Sequence, residues 1–185
     1  GSIAWMVAPV HAEGFTPALA DHRTIYFSPN GKGGYTAVDV PFTFDEDFGR
    51  DLQLTDSNIH PTEKMDFEFP FFDDVYQSVF INNDGVISMG TGIAFRDYQL
   101  NFTHVPSIIA LLLDLDPEAQ SVGGIYARMD NDQLTVTYDR IRAYRQGNST
   151  YTFQVVLYGS GEFSITYNGL PKSYTYQPNQ NPGVK

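Results

Sequence analysis

The chain has 185 residues, 22 of them acidic and 11 basic, for a formal net charge of −11. With no dense Lys/Arg patch, that balance sets aside nucleic acid and anionic membrane surfaces, both of which are gripped by clustered cations that displace counterions. The absence of cysteine excludes a thiol nucleophile, a thiolate metal site, an iron–sulfur cluster and a disulfide framework.

Residues 3–10 read either as the tail of a signal or anchor segment, with small residues at Val10 and Ala12, or as an N-terminal strand. Residues 17–23 suggest a short helix, 31–34 a glycine turn, and 35–40 alternate like a strand. Residues 65–69 (Met-Asp-Phe-Glu-Phe) place their apolar side chains on one sheet face, and Pro70 is expected to end that strand. Residues 75–81, the loop Asn82-Asn83-Asp84-Gly85 and residues 86–89 carry the strongest hairpin signal, with Gly85 at positive φ.

Residues 108–115 are apolar on both faces until Asp114 and read as one central buried strand. Further hairpins are predicted for 124–128 with 134–138, turning at Met129-Asp130-Asn131-Asp132, and for 152–158 with 162–167, turning at Gly159-Ser160-Gly161. Strands recurring every 8–12 residues or so, without an internal repeat, predict an all-β fold: an antiparallel two-sheet β-sandwich of roughly ten strands with very little helix. The expected organisation is an N-terminal extension at 1–34, the sandwich at 35–170 and a linker or tail at 171–185. Ile109, Leu111 and Leu113 on one strand, and Phe153, Val155 and Leu157 on another, are the expected core, each set at two-residue intervals. The longest apolar run, 108–113, is far below the ~20 residues that span a bilayer. Membrane insertion of this chain is therefore not expected, although a longer protein could be anchored.

Four segments occur in order: Phe67-Glu68-Phe69-Pro70-Phe71-Phe72, residues 76–90 (YQSVFINNDGVISMG), residues 109–117 (IALLLDLDP) with Gly123-Gly124-Ile125-Tyr126, and residues 152–167 (TFQVVLYGSGEFSITY). Over about residues 50–170 this combination resembles the extracellular nidogen-like (NIDO-type) domain and its bacterial relatives. It departs from them at Asp73, where a glycine is usual, at Leu112 or Leu113, where a tryptophan is usual, and at Met89. The resemblance implies an extracellular, cell-surface or periplasmic β-rich module of adhesion, matrix or bacterial surface proteins, without established catalysis.

Candidate chemistry is sparse. Asp114 and Asp116, two apart on an extended segment, project from one face and are the candidate metal ligands, with Ca2+ the ion that suits them. Oxygens of Asn82, Asp84, Asp130 and Asp132 could join from neighbouring loops, and the same four residues are candidate ligand contacts. The competing reading is that an aspartate before Pro117 caps a turn. Phe67, Phe69, Phe71, Phe72, Tyr76 and Phe80 read as core in preference to stacking platforms, whereas Tyr174 and Tyr176 in the tail are the better exposed candidates.

No serine-hydrolase elbow, no His-Glu-x-x-His zinc pair and no phosphate loop occurs, and His11, His22, His60 and His104 are scattered. Asn101-Phe102-Thr103 and Asn148-Ser149-Thr150 match the glycosylation sequon, which matters only in a eukaryotic secretory setting. The leading expectation is a non-enzymatic interaction or adhesion module of a larger secreted or surface protein, binding a protein or glycan. The alternatives are a periplasmic sensor domain with a small-molecule ligand and an accessory binding domain of an extracellular hydrolase.

Overall fold

The computed structural model describes residues 6–7, 20–56, 59–93, 105–111, 113–118, 122–144 and 148–172. These residues form strands and no helix; where a short helix was expected, residues 20–22 make a turn that leads into a strand at Arg23. Two sheets face each other, as expected of a sandwich. One is five-stranded, in the order β1 (Met6–Val7), β8 (Ser107–Ile109), β7 (Val86–Met89), β6 (Asp74–Asn82), β5 (Ile59–Phe71). The other is eight-stranded, in the order β3 (Tyr35–Val40), β2 (Arg23–Pro29), β13 (Phe163–Tyr167), β12 (Thr150–Tyr158), β11 (Gln133–Ala143), β10 (Ile125–Asp130), β4 (Arg50–Asp51), with β9 (Leu115–Asp116) also paired to β11. Apart from the parallel β1–β8 contact, neighbours run antiparallel.

Alternation fills the space between the sheets. Phe69, Phe71, Ile81, Ile87 and Ile108 come from one side and meet Tyr138, Phe153, Val155, Leu157, Phe163 and Ile165 from the other. Tyr138 and Phe153, cross-strand neighbours, stack with ring centroids 4.3 Å apart. Of the aromatics read as core, Phe67, Phe69 and Phe71 are buried and Phe72 and Tyr76 pack against them half-buried, whereas Phe80 is half-buried outside the core clusters.

Four details differ from the sequence reading. Pro70 does not end its strand; β5 continues to Phe71, which an edge strand allows because the missing N–H faces no ladder partner. The segment 108–115 is not one strand. It leaves the five-stranded sheet after Ile109, crosses with Ala110, Leu111 and Leu113 buried in the core, and joins β11 of the other sheet at Leu115–Asp116. Ile109 is buried on the far side of its sheet in a small cluster with Val86 and Ile93, while Ile108 takes the main core position. Finally, the sheet starts upstream of residue 35, since β2 pairs with both β13 and β3.

Leu111 and Leu113 do lie in the main core, with Phe153, Val155 and Leu157. Leu111→Ala should therefore lower stability by about 2–5 kcal/mol, the usual range for a buried leucine. A urea midpoint shift worth under about 0.5 kcal/mol would place Leu111 at the surface instead.

Candidate functional site

Three polar constructions stand out, and the first is the hairpin between β6 and β7. Its loop is buried: Asn82, Asn83 and Asp84 are exposed by 3% or less. The Asn82 side chain accepts the backbone N–H groups of Asp84 and Val86, each at 3.0 Å, which shapes the turn, and donates to the Ile93 carbonyl at 2.9 Å. Gly85, at φ 82, closes the loop as expected. The tip then reaches across to the segment that changes sheets. Asp84 Oδ1 accepts from Leu115 N–H at 2.8 Å and Asn83 Nδ2 donates to the Leu115 carbonyl at 2.5 Å, while the Gly85 carbonyl accepts Ala110 N–H at 3.0 Å. From the facing sheet, the Tyr138 hydroxyl donates to the Asn82 carbonyl at 2.7 Å and that of Tyr167 to the Ala110 carbonyl at 2.6 Å. Burial, with the Asp84 carboxylate nearby, pushes the Tyr138 phenol well above its ordinary range, so it stays a neutral donor.

The candidate acidic residues separate between two places. Asp116 lies beside this latch, where its Oδ1 accepts Glu118 N–H at 2.9 Å across Pro117, as the turn-capping reading requires. Asp130 and Asp132 belong to the β10–β11 turn, at the opposite end of β11 from Arg142, the register partner of Asp116. Nine residues of strand put these ends about 30 Å apart, so their oxygens do not converge on one ion. Asp130 is instead paired to Arg128 Nε at 2.5 Å. Among the described residues no three His, Asp or Glu side chains are grouped as a metal site. Tyr174 and Tyr176 lie outside the described residues.

The second construction is a strap. Residues 41–49 run from β3, at one edge of the eight-stranded sheet, to β4, at the other, and cross the face turned away from the core. That face is polar yet buried: Thr24, Thr137, Gln154 and Thr166 are each exposed by 3% or less. Thr24 Oγ1 accepts Thr43 N–H at 3.0 Å. The Gln154 amide grips Asp45 at both backbone groups, accepting its N–H at 3.2 Å and donating to its carbonyl at 3.0 Å. Arg128 donates to the Asp47 carbonyl and to the Asp45 carboxylate. The hydrogen bond from Arg128, helped by Asp47 N–H, holds the Asp45 carboxyl below its ordinary range.

The third construction is a ledge at the far end of the strap. Within β11, Asp139 and Arg140 together oppose Thr152, a bulge that sets Arg140 at φ 48 and lets its N–H bond Thr152 Oγ1 at 3.0 Å. Arg140 Nε reaches both Asp139 oxygens, at 3.1 and 3.0 Å, and its side chain remains 54% exposed. Tyr126 on β10 stands beside them, its phenol pushed up by burial and by Asp51 and Asp139. Phe48 of the strap tilts against Tyr126 with centroids 5.5 Å apart. The outcome is a guanidinium, a carboxylate and two aromatic rings on one rigid sheet end.

A scan of protein families matches the chain to the NIDO-related family over residues 25–183. The chain belongs to the NIDO-related family. No curated protein and no solved structure matches it. Membership marks this NIDO-related domain as an extracellular-type module, and the match starts inside β2, upstream of the boundary read at residue 35.

The motif segments that carry the resemblance turn out to be neighbours in space. A Cβ built on Gly85 would lie 2.5 Å from the Leu111 carbonyl oxygen and 3.1 Å from Phe153, so three of the four segments meet at the latch. Gln154 of the fourth segment holds the strap. In the NIDO-related domain these residues thus join the two sheets and fasten the strap; of the ledge residues, Tyr126 belongs to the motifs, whereas Phe48, Asp139 and Arg140 lie outside them. Sequence reasoning missed the ledge, because its only local signal is a single charged residue, Arg140, breaking the alternation of β11.

Proposed function

We propose that this NIDO-related domain is a non-enzymatic interaction module of a larger secreted or surface protein, and that its ligand, a glycan or a peptide, docks on the ledge around Arg140. One observation carries the reading: Arg140 sits at φ 48 in the middle of a sheet strand, a conformation that disfavours every residue with a Cβ, yet the side chain it bears is long, charged and solvent-facing. Strained positions of this kind are maintained where the side chain is needed in one direction. The surroundings suit recognition, since the rings of Phe48 and Tyr126 offer stacking surface while Arg140 and Asp139 offer paired donors and acceptors. Tyr126, Asp139 and Arg140 are mounted on strands and Phe48 on the fastened strap, so little ordering is required on binding.

A glycan array and a peptide library screened with the whole chain give the direct test. Arg140→Lys keeps the charge beside Asp139 but removes the planar fork. It should weaken any ligand found by at least about tenfold, or roughly 1.4 kcal/mol, at an unchanged melting midpoint. Unaltered affinity would place the ligand elsewhere. Chemical conversion of a bound ligand would reject the non-enzymatic reading itself.

A further inference from the structure

We propose that the strap, residues 41–49, is a cross-brace that makes the two edge strands β3 and β4 open together although they lie at opposite ends of the eight-stranded sheet. From β3 to β4 there are six inter-strand steps. At ~4.8 Å each they amount to about 29 Å. The ten residue-to-residue steps from Val40 to Arg50 reach at most about 33–36 Å when fully extended. Little slack is left, so the segment is a tie and not a lid.

The fastening is regular. In an extended chain the N–H and C=O of one residue point the same way, and those of alternate residues repeat the direction. Thr43, Asp45 and Asp47 accordingly all turn backbone groups toward the sheet, meeting Thr24 on β2, Gln154 on β12 and Arg128 on β10. Phe44 and Phe48, on the strap's flank, touch each other at 5.9 Å. The two edges differ. β4 has only two residues, whereas β3 has six, all paired to β2, but its middle is exposed. A two-residue strand does not hold alone, and an exposed edge is a template for unwanted pairing. A tie that loses one anchor gains slack at the other, which couples the two ends.

Amide hydrogen exchange of the whole chain, read by mass spectrometry, tests the coupling in both directions. Thr24→Val removes the fastening next to β3 and is read at residues 50–52; Arg128→Gln removes the one next to β4 and is read at residues 35–40. Each should lower protection at the distant edge by at least about fivefold, the low end of coupling between separate sites. Inserting Gly-Gly between Glu46 and Asp47 should abolish these distant effects and leave the local ones, because it adds slack without deleting a fastening. If Thr24→Val fails to fold, the Arg128→Gln arm decides alone. Loosening confined to the nearer edge overturns the proposal, and so do distant effects that survive the insertion.

Discussion

Gly85→Val should lower stability by roughly 2–6 kcal/mol, the sum of strain from a positive φ and of overpacking. Two causes act at one atom. At φ 82 any Cβ strains the backbone, and here it would also sit 2.5 Å from the Leu111 carbonyl oxygen, which is main chain and cannot rotate away. Relief would require moving the segment that changes sheets, and that segment is fixed by Asn83 and Asp84 on the same loop. Gly31 supplies the control: it has φ 69 in its turn, but nothing lies within 4 Å of a Cβ there. Gly31→Val should show strain alone, about 1–3 kcal/mol. Equal urea midpoints for the two variants would mean that the close approach at Gly85 has no energetic weight.

The hairpin was legible in the sequence because its information is local. Asn, Asp and Gly between alternating strands specify a turn, and Gly85 adopts the φ that this chemistry demands. The alternation of residues 152–158 was legible for the same reason, and Phe153, Val155 and Leu157 face the core. What escaped is non-local. An apolar run such as 108–113 looks the same whether it lies within a sheet or passes between two, since both faces are covered either way. Only the partners, Val86 and Ile87 at one end and Ala143 and Arg142 at the other, reveal the crossing.

The strap escaped for a related reason. Pro41-Phe42-Thr43-Phe44-Asp45-Glu46-Asp47-Phe48 has the alternation of an edge strand, but its hydrogen-bond partners are side chains. Buried polar residues on a strand's outer face are the trace it leaves in the sequence: residues 135, 137, 152, 154, 164 and 166 are all polar, and all are buried. Such a stripe reads as solvent-facing until the covering segment is known. The ledge depends on the strap in turn, because Phe48 is delivered to Tyr126 only after the strap has crossed the sheet.

Asp84→Ala is expected to be the most damaging change at the latch that involves no backbone strain, at roughly 2–6 kcal/mol, since a buried group robbed of its partner costs about 1–3 kcal/mol and two donors are affected. Those donors are Leu115 N–H, at 2.8 Å from Asp84 Oδ1, and Asn83 Nδ2, at 3.1 Å. Asp84 is fully buried, so water cannot replace the lost oxygen without opening the junction between the sheets. Asp84→Asn keeps one oxygen for the same two donors and should fall between Asp84→Ala and the parent chain. Asp116→Asn is the control at an ordinary turn cap: its oxygen can still accept Glu118 N–H, so a change within about 1 kcal/mol is expected. Denaturant midpoints of the three variants rank the roles directly. A latch requires Asp84→Ala to be far the worst. If it is no worse than Asp116→Asn, the carboxylate does not hold the crossing segment, and the junction rests on apolar packing around Phe153 and Leu111 and on the hydrogen bonds of Asn83, Tyr138 and Tyr167.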